Sequence, residues 1–140
     1  MYYIGKQYEG TNFESAGIRM QKRIDLQGEK ACLETPPNGY DQSFKPTTTS
    51  SAGTHLVSTF TMGEGAAGHY TEGNLYRLFV KNNSSCYEFE TRVGQSQFAN
   101  YPAGTIKEFT QSDKIKILNE LDQILSEVSL SGEKNLFHNK

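Results

Sequence analysis

Two strand-like runs around a short polar turn lie in the middle of the chain, and they limit its fold more than any other feature. The first run extends from Leu75 to Val80 and the second from Cys86 to Val93. The second run alternates between two sets of side chains, which are Tyr87, Phe89, Thr91 and Val93 in one set and Glu88, Glu90 and Arg92 in the other. Because successive side chains of a strand point to opposite faces, this period of two predicts a hairpin at the centre of a sheet. We expect the first set to be buried and the charged set to lie in water.

The length and charge of the chain narrow its class. A chain of 140 residues is long enough for one domain with a single core. The formal net charge of −2 gives no electrostatic reason to expect nucleic acid as a partner. No stretch approaches the roughly 18 apolar residues of a transmembrane helix, and Met1 to Lys6 lack the apolar segment of a signal peptide. Either the protein is cytosolic and complete, or it is an exported domain whose signal has been replaced by the initiating Met; its polar composition favours the second.

The two cysteines are the best guide to the cellular compartment in which the protein resides. Cys32 and Cys86 are 54 positions apart, which excludes a CxxC metal or redox motif. We predict a disulfide between them, since closing a loop of this length stabilises a fold by about 4 kcal/mol in the chain-entropy model. A disulfide would place the protein in a periplasmic or other extracellular space. The alternative is a pair of buried, reduced thiols in a cytosolic protein.

The N-terminal part of the chain carries a helix signal followed by a strand signal. Thr11 or Asn12 can serve as the N-cap of a short helix that ends at Gly17. The residues from Ile18 to Leu26 then alternate between apolar and charged side chains, which predicts a strand.

A polar stretch separates these elements from the next strand. Residues 36–53 are rich in Pro, Thr, Ser and Gly and bury little apolar surface, so we expect a mobile loop within a single domain of residues 1–130. His55 to Met62 follow as a strand, and the glycine-rich segment from Gly63 to Gly68 is interpreted as a flexible connection to the hairpin. A further short strand is predicted at 105–109.

The clearest helix signal lies near the C-terminus. Apolar residues recur at spacings of three and four between Gln111 and Val128, which indicates an amphipathic helix. Thr110 and Asp113 make a plausible capping pair at its start. Residues 131–140 are predicted to form a flexible tail. The order of elements predicts an α+β fold in which this long helix packs on one face of an antiparallel sheet.

Two local patterns point to chemistry, and neither is strong. Gly63, Gly65 and Gly68 match GxGxxG, but a strand rather than a helix is expected after them, so nucleotide binding is not predicted. Glu64 and His69 lie close enough in sequence, with Glu72, for acid–base or metal chemistry. The histidines have no zinc-ligand spacing, and there is no nucleophile elbow. We therefore assign no catalytic residue, metal or cofactor.

Aromatic side chains near the predicted loops are either core and loop anchors or parts of a binding surface. Tyr70, Phe98 and Tyr101 lie in or near the predicted loops that flank the hairpin. Exposed aromatic residues at such positions suit a protein or another macromolecule as partner. The predicted binding residues are therefore these three together with Glu64 and His69.

Several short motifs along the chain have a common likeness. They are Tyr76-Arg77, Cys86-Tyr87-Glu88, Asn100-Tyr101-Pro102-Ala103-Gly104, Lys107-Glu108-Phe109, the helix Leu118 to Leu125, and Gly10-Thr11-Asn12-Phe13 together with Cys32. These motifs resemble a group of uncharacterised bacterial exported proteins and lipoproteins over residues 10–128. The resemblance implies a cell-envelope partner and a lipid anchor outside this chain. The long helix after a strand is also similar to the PsbP-like α/β sandwich, which by analogy implies a binding fold.

These observations favour a non-enzymatic exported envelope domain that binds a protein or another macromolecule. The rival is a small hydrolase or metal-dependent enzyme that uses Glu64 and His69. Convergence of those two side chains with a third polar group in one cleft would favour the rival. A cytosolic adaptor with reduced cysteines is the third reading.

Overall fold

The computed structural model describes residues 5–128, with the side chain of Ala52 left aside. Its strands are β1 (Phe13–Lys22), β2 (Thr48–Ala52), β3 (His55–Ala66), β4 (His69–Val80) and β5 (Ser85–Ser96). Its helices are α1 (Glu29–Glu34) and α2 (Gln111–Ser126), and 3₁₀ turns occur at Lys6–Tyr8 and Phe98–Asn100. The strands form one antiparallel sheet in the order β1-β5-β4-β3-β2. The predicted α+β class is confirmed.

The predicted hairpin is confirmed and is longer than expected. β4 and β5 pair without interruption over 12 residues each. In the turn between them Ser84 takes a positive φ of 52°, and the Asn83 side chain accepts a hydrogen bond from the Ser85 N–H. With β1 on one side and β3 on the other, the hairpin occupies the middle of the sheet.

One face of the sheet packs against α2. The buried apolar side chains of this interface are Ala16, Val57, Leu78, Val80, Phe89, Val93, Ile117, Leu121 and Leu125, with Tyr8 and Phe109 at one end. Thr110 caps the helix: its hydroxyl accepts a hydrogen bond from the Asp113 N–H, and the Asp113 carboxylate accepts one from the Thr110 N–H. The predicted helix, its apolar stripe and its cap are all confirmed, with the last turn ending two residues early.

The other face of the sheet is covered in part by α1. Cys32 of this helix forms a disulfide with Cys86 of β5, with their Cα atoms 5.7 Å apart, so the predicted bond is confirmed. A small apolar cluster surrounds the bond and consists of Leu26, Leu33, Leu56 and Phe79. The Ser58 hydroxyl adds a buried hydrogen bond to the Leu33 carbonyl. Six residues are too few for a helix that is stable alone, so this packing and the disulfide hold α1 in place.

The helix predicted from Thr11 to Gly17 is wrong, because β1 begins at Phe13. Of the two residues that resembled a cap, Thr11 makes local hydrogen bonds, donating to the Tyr8 carbonyl and accepting from the Phe13 N–H, whereas Asn12 makes tertiary contacts. Asn12 is buried, its amide donates to the Ser96 carbonyl, and its side-chain oxygen accepts from the Phe109 N–H. One side chain thus ties β1 to β5 and to the segment before α2, which a local helix signal does not reveal.

Three further expectations are corrected at strand ends. The segment Gly63 to Gly68 is no loose connection, because β3 continues to Ala66 and β4 starts at His69. Ala67 and Gly68 form the two-residue turn, both with positive φ, as tight antiparallel hairpins require. Residues 48–52, expected in the loop, form edge strand β2. The predicted strand at 105–109 reduces to a single parallel bridge between Thr11 and Lys107.

The first half of the predicted loop is anchored by two aromatic rings. Tyr40 packs against Phe44 with centroids 4.4 Å apart, and Phe44 stacks on buried Phe60 of β3 at 5.9 Å. The mobility of this loop stays a prediction, and the predicted tail 131–140 lies outside the described residues. Among residues 5–128, no helix combines the length and the apolarity that crossing a membrane demands.

Candidate binding groove on the charged face

The face of the sheet opposite α2 collects charged side chains at its centre, and we call it the charged face. The strand register places them there: Gln21 and Arg77 lie on either side of Glu88, and Arg19 lies opposite Glu90. Neighbouring side chains directly across antiparallel strands stand about 5 Å apart. The register alone therefore brings opposite charges into contact.

Glu88 is the most heavily bonded residue of the charged face. Its side chain is 3% exposed and accepts hydrogen bonds from Arg77 Nε, Arg23 Nη1 and Gln21 Nε2, each at 2.6 Å. Arg23 also pairs with Asp25, and that hydrogen bond lowers the pKa of the Asp25 carboxyl to about 2. Because isolated buried charges are costly, these hydrogen bonds are what allow Glu88 to remain inside the protein.

Arg77 is fully buried beneath α1. Its Nη1 points to the carbonyl oxygens of Cys32 and Thr35, at 3.3 and 3.4 Å, at the end of α1. Within residues 5–128, its Nη2 has no hydrogen-bond partner. Burial lowers the pKa of this guanidinium, and the neighbouring Glu88 opposes that effect. The disulfide thus holds α1 on the sheet, and backbone carbonyl groups at the end of α1 accept hydrogen bonds from the buried Arg77 guanidinium.

Glu90 forms ion pairs with two further arginines, and both of them are exposed. Its carboxylate lies 2.8 Å from Arg19 Nη2 and 3.3 Å from Arg92 Nε, and its side chain is 5% exposed. Arg92 Nη2 also faces Glu64, at a longer distance of 3.9 Å. Arginine and glutamate therefore alternate across the charged face from the end of α1 toward the start of β1 and the end of β5.

Three adjoining hollows follow this row, and Glu90 and Arg92 line all three; together we call them the groove. The largest has a volume of about 680 Å³ and is lined by Ser15, Ala16, Gly17, Ile18, Arg19, Met20, Thr71, Glu90 and Arg92. A second, of about 100 Å³, extends under the loop to Pro37, Asn38 and Tyr40. A third, of about 20 Å³, lies beside Glu64 and Gly73. The large hollow falls in the size range of small-molecule sites.

The expectation that Glu88 and Glu90 lie in water is wrong. Both are buried, because Arg19, Arg23 and Arg77 close over them and α1 with its following loop adds a second layer. Alternation identified the two faces of β5 correctly but could not show that both are covered. A sequence signal did exist, since arginines recur in β1, β4 and β5, yet their pairing depends on register, which the sequence does not give.

The predicted acid–base residues make three separate contacts. Glu64 lies on the charged face and pairs loosely with Arg92. His69 Nδ1 lies 2.5 Å from Glu14 Oε1. Glu72 lies on the opposite face of β4, where its carboxylate is 2.8 Å from Lys114 Nζ. Among the described residues, no three His, Cys, Asp or Glu side chains are grouped so that they could hold a metal ion.

The predicted aromatic residues lie outside the groove. Tyr70, Phe98 and Tyr101 are each about two-fifths exposed, at 41%, 39% and 39%. The Tyr101 hydroxyl shares a hydrogen bond of 2.8 Å with Ser96, at the end of β5. None of these three described side chains lines the groove. Of the predicted binding residues, only Glu64 borders it, whereas Arg19, Glu90 and Arg92 were not predicted.

Comparison with known proteins adds no relative: no family model, curated protein or solved structure matches this chain.

Proposed function

We propose that the protein is a non-enzymatic domain of an oxidising compartment, such as a bacterial envelope, and that it binds another molecule in the groove. The observation that carries this proposal is the groove itself, a hollow of about 680 Å³ bordered by two exposed arginines and a buried glutamate. A concave hollow of this size with a few convergent polar groups is the default candidate for a binding site. The disulfide supports an oxidising compartment, because such bonds are rare in reducing cytosol.

The energetics of the charged face support a functional role. Glu88, Glu90 and Arg77 are all buried, and burying charged groups brings less stability than apolar packing of the same volume would. An α+β domain of this kind could cover its sheet with apolar residues on both faces. Keeping a row of paired charges beside a hollow is therefore most simply explained by a ligand that uses them.

The proposal is tested by capture from the envelope fraction of cells that produce the protein. Wild-type domain is compared with the double variant Arg19→Ala/Arg92→Ala and with two controls, Lys116→Ala on the exposed side of α2 and His69→Ala. A partner retained by wild type and both controls, but lost at least tenfold by the groove variant, is the expected result. Equal retention by all four proteins would overturn the groove as the binding surface.

The same set of variants distinguishes our proposal from the rival one, a hydrolase or metal-dependent enzyme that uses Glu64 and His69. Those side chains contact Arg92 and Glu14 respectively, so an enzyme using both would need a rearrangement on substrate binding. His69→Ala would then abolish turnover of the captured partner. Under our proposal it leaves capture unchanged.

A further inference from the structure

Two guanidinium groups at the groove have hydrogen-bonding capacity left over. Arg19 and Arg92 are 60% and 48% exposed. Arg19 approaches Glu90 and Glu88 through Nη2 alone, and Arg92 reaches Glu90 through Nε. A guanidinium has five N–H donors in a planar fork. Within residues 5–128, the remaining donors of Arg19, and Arg92 Nη1, have no ion-pair or hydrogen-bond partner.

The strands on either side of Arg92 leave its fork accessible. Arg92 lies opposite Gly17 of β1 and opposite Gly73 of β4, so neither neighbour in register carries a side chain. At Gly73 the backbone enforces this, because a Cβ atom there would lie 1.7 Å from the Thr91 carbonyl oxygen. On both sides of Arg92, the neighbouring strand therefore presents glycine backbone instead of a side chain.

The existing contacts of Arg19 and Arg92 indicate which chemical group these two side chains can bind. Both guanidinium groups are already turned toward one carboxylate, that of Glu90, whose buried Oε2 has no hydrogen-bond partner among residues 5–128. The two arginines face three carboxylates: Glu90, Glu88 at 3.5 Å from Arg19 Nη2, and Glu64 at 3.9 Å from Arg92 Nη2. Glu64 is the exposed one of the three, so it is the carboxylate that a ligand anion can displace. A doubly charged phosphate would bring more negative charge beside buried Glu90 and would be repelled more strongly.

From this geometry we propose that the groove recognises a carboxylate group of its ligand, held between the free donors of Arg19 and Arg92 in place of the loose contact to Glu64. This assignment rests on the proposed binding function and names its chemistry. The carboxylate can come from a small organic acid or from an acidic side chain of a peptide. Bidentate Arg–carboxylate pairing supplies both affinity and orientation.

The test uses four probes and the full chain with its disulfide intact. The probes are succinate, acetyl-Gly-Glu-Gly-amide, the matched acetyl-Gly-Gln-Gly-amide and inorganic phosphate, each titrated while the arginine Nε–H and backbone amide NMR signals are followed. We expect saturable shifts at Arg92 Nε–H, Gly17 and Thr71 with a carboxylate probe. The Gln peptide and phosphate should bind at least tenfold more weakly. Succinate and the Glu peptide together separate a small-acid source from a peptide source.

Variants assign the effect to individual groups. Arg19→Ala or Arg92→Ala should each weaken carboxylate binding about tenfold, since a hydrogen bond to a charged group contributes that much. Arg92→Lys, which keeps the charge but not the fork, should recover only part of it. Glu64→Gln should strengthen binding about threefold by removing the competing carboxylate. Glu127→Gln, at the end of α2 on the other face, is the matched control and should change nothing.

The possible outcomes separate the two proposals. Equal binding of the Glu and Gln peptides, or no saturable shift up to about 10 mM of any carboxylate probe, overturns the carboxylate assignment. If the envelope partner is nevertheless lost by Arg19→Ala/Arg92→Ala, the binding function stands with another ligand chemistry. If capture is also independent of these arginines, both proposals fail.

Discussion

At the scale of single residues, Glu88 and Arg77 show how a charged pair can lie inside a small domain. Each alone would be an uncompensated buried charge. Together, with Arg23 and Gln21 on one side and the end of α1 on the other, they satisfy most of their hydrogen-bonding groups. Truncating one partner should therefore lower the free energy of unfolding by far more than the intact pair contributes to it.

Replacing Glu88 with Ala should lower the free energy of unfolding by about 3–5 kcal/mol, because Arg77 is left buried without its carboxylate. Urea denaturation measures the loss. Glu64→Gln, on the same face but exposed, is the control and should change stability by no more than about 0.5 kcal/mol. Combining Glu88→Leu with Arg77→Met should recover part of the loss; a Glu88→Ala cost below about 1 kcal/mol would show that the pair is not effectively buried.

Asp122, which lies in α2, should make the free energy of unfolding depend on pH. It accepts a hydrogen bond of 2.8 Å from the Tyr76 hydroxyl, yet burial raises the pKa of its carboxyl. Folding therefore shifts the proton equilibrium of Asp122 toward the protonated form. The unfolding free energy contributed by Asp122 is highest below the ordinary aspartate pKa of about 4 and falls as pH rises through the raised value.

Asp122→Asn should remove this loss while keeping an oxygen that accepts from Tyr76. The stability of wild type relative to the variant should thus decrease as the pH rises above about 4, measured by urea denaturation at several pH values. Asp41→Asn is the opposite control, because the hydrogen bond from the Ser43 N–H lowers the pKa of Asp41, so that the wild-type advantage there is lost as pH falls. A pH-independent difference for Asp122→Asn would contradict the raised pKa.

At the scale of elements, the two helices differ in what holds them. α2 has 16 residues, an apolar stripe and a capping box, so its helical state is specified locally. α1 has six residues and no side-chain cap. It exists because the disulfide, Leu33 and the Ser58 hydrogen bond fix it to the sheet. The sequence could therefore predict α2 and could not predict α1.

Thr110→Ala should destabilise the protein by about 1 kcal/mol by removing the cap of α2, which corresponds to a fall in Tm of roughly 4 °C. The neighbouring exposed Ser112→Ala is the matched control, and differential scanning calorimetry should show little change for it. Equal effects of the two substitutions would mean that Thr110 does not cap the helix.

At the scale of the whole molecule, alternation and helical periodicity were enough for the sheet centre, the C-terminal helix and the α+β class. They failed where the pairing of one segment with another decides the structure. Asn12 resembles a helix cap but bridges Ser96 and Phe109, and Gly63 to Gly68 resemble a loop but continue two strands into a tight turn. The groove escaped prediction for the same reason, since Arg19 meets Glu90 only once the register of β1 against β5 is known.

The disulfide is the one covalent tie between α1 and the sheet. Reduction of the wild-type protein should lower its unfolding free energy by about 4 kcal/mol, as expected for a closed loop of this length. Guanidinium denaturation with and without dithiothreitol measures this, and the reductant should have no effect on a Cys32→Ala/Cys86→Ala variant. A reduction effect below about 1 kcal/mol would mean that α1 is held by packing alone.

Whether the Cys32–Cys86 bond exists where the protein works can be measured directly. Cells that produce it are quenched in acid, free thiols are blocked with one maleimide, disulfides are reduced, and the released thiols are labelled with a heavier maleimide before mass spectrometry. We predict that both cysteines carry only the second label, as in an oxidising compartment. If both carry the first label, the protein resides among reduced thiols, and the proposed envelope function is contradicted.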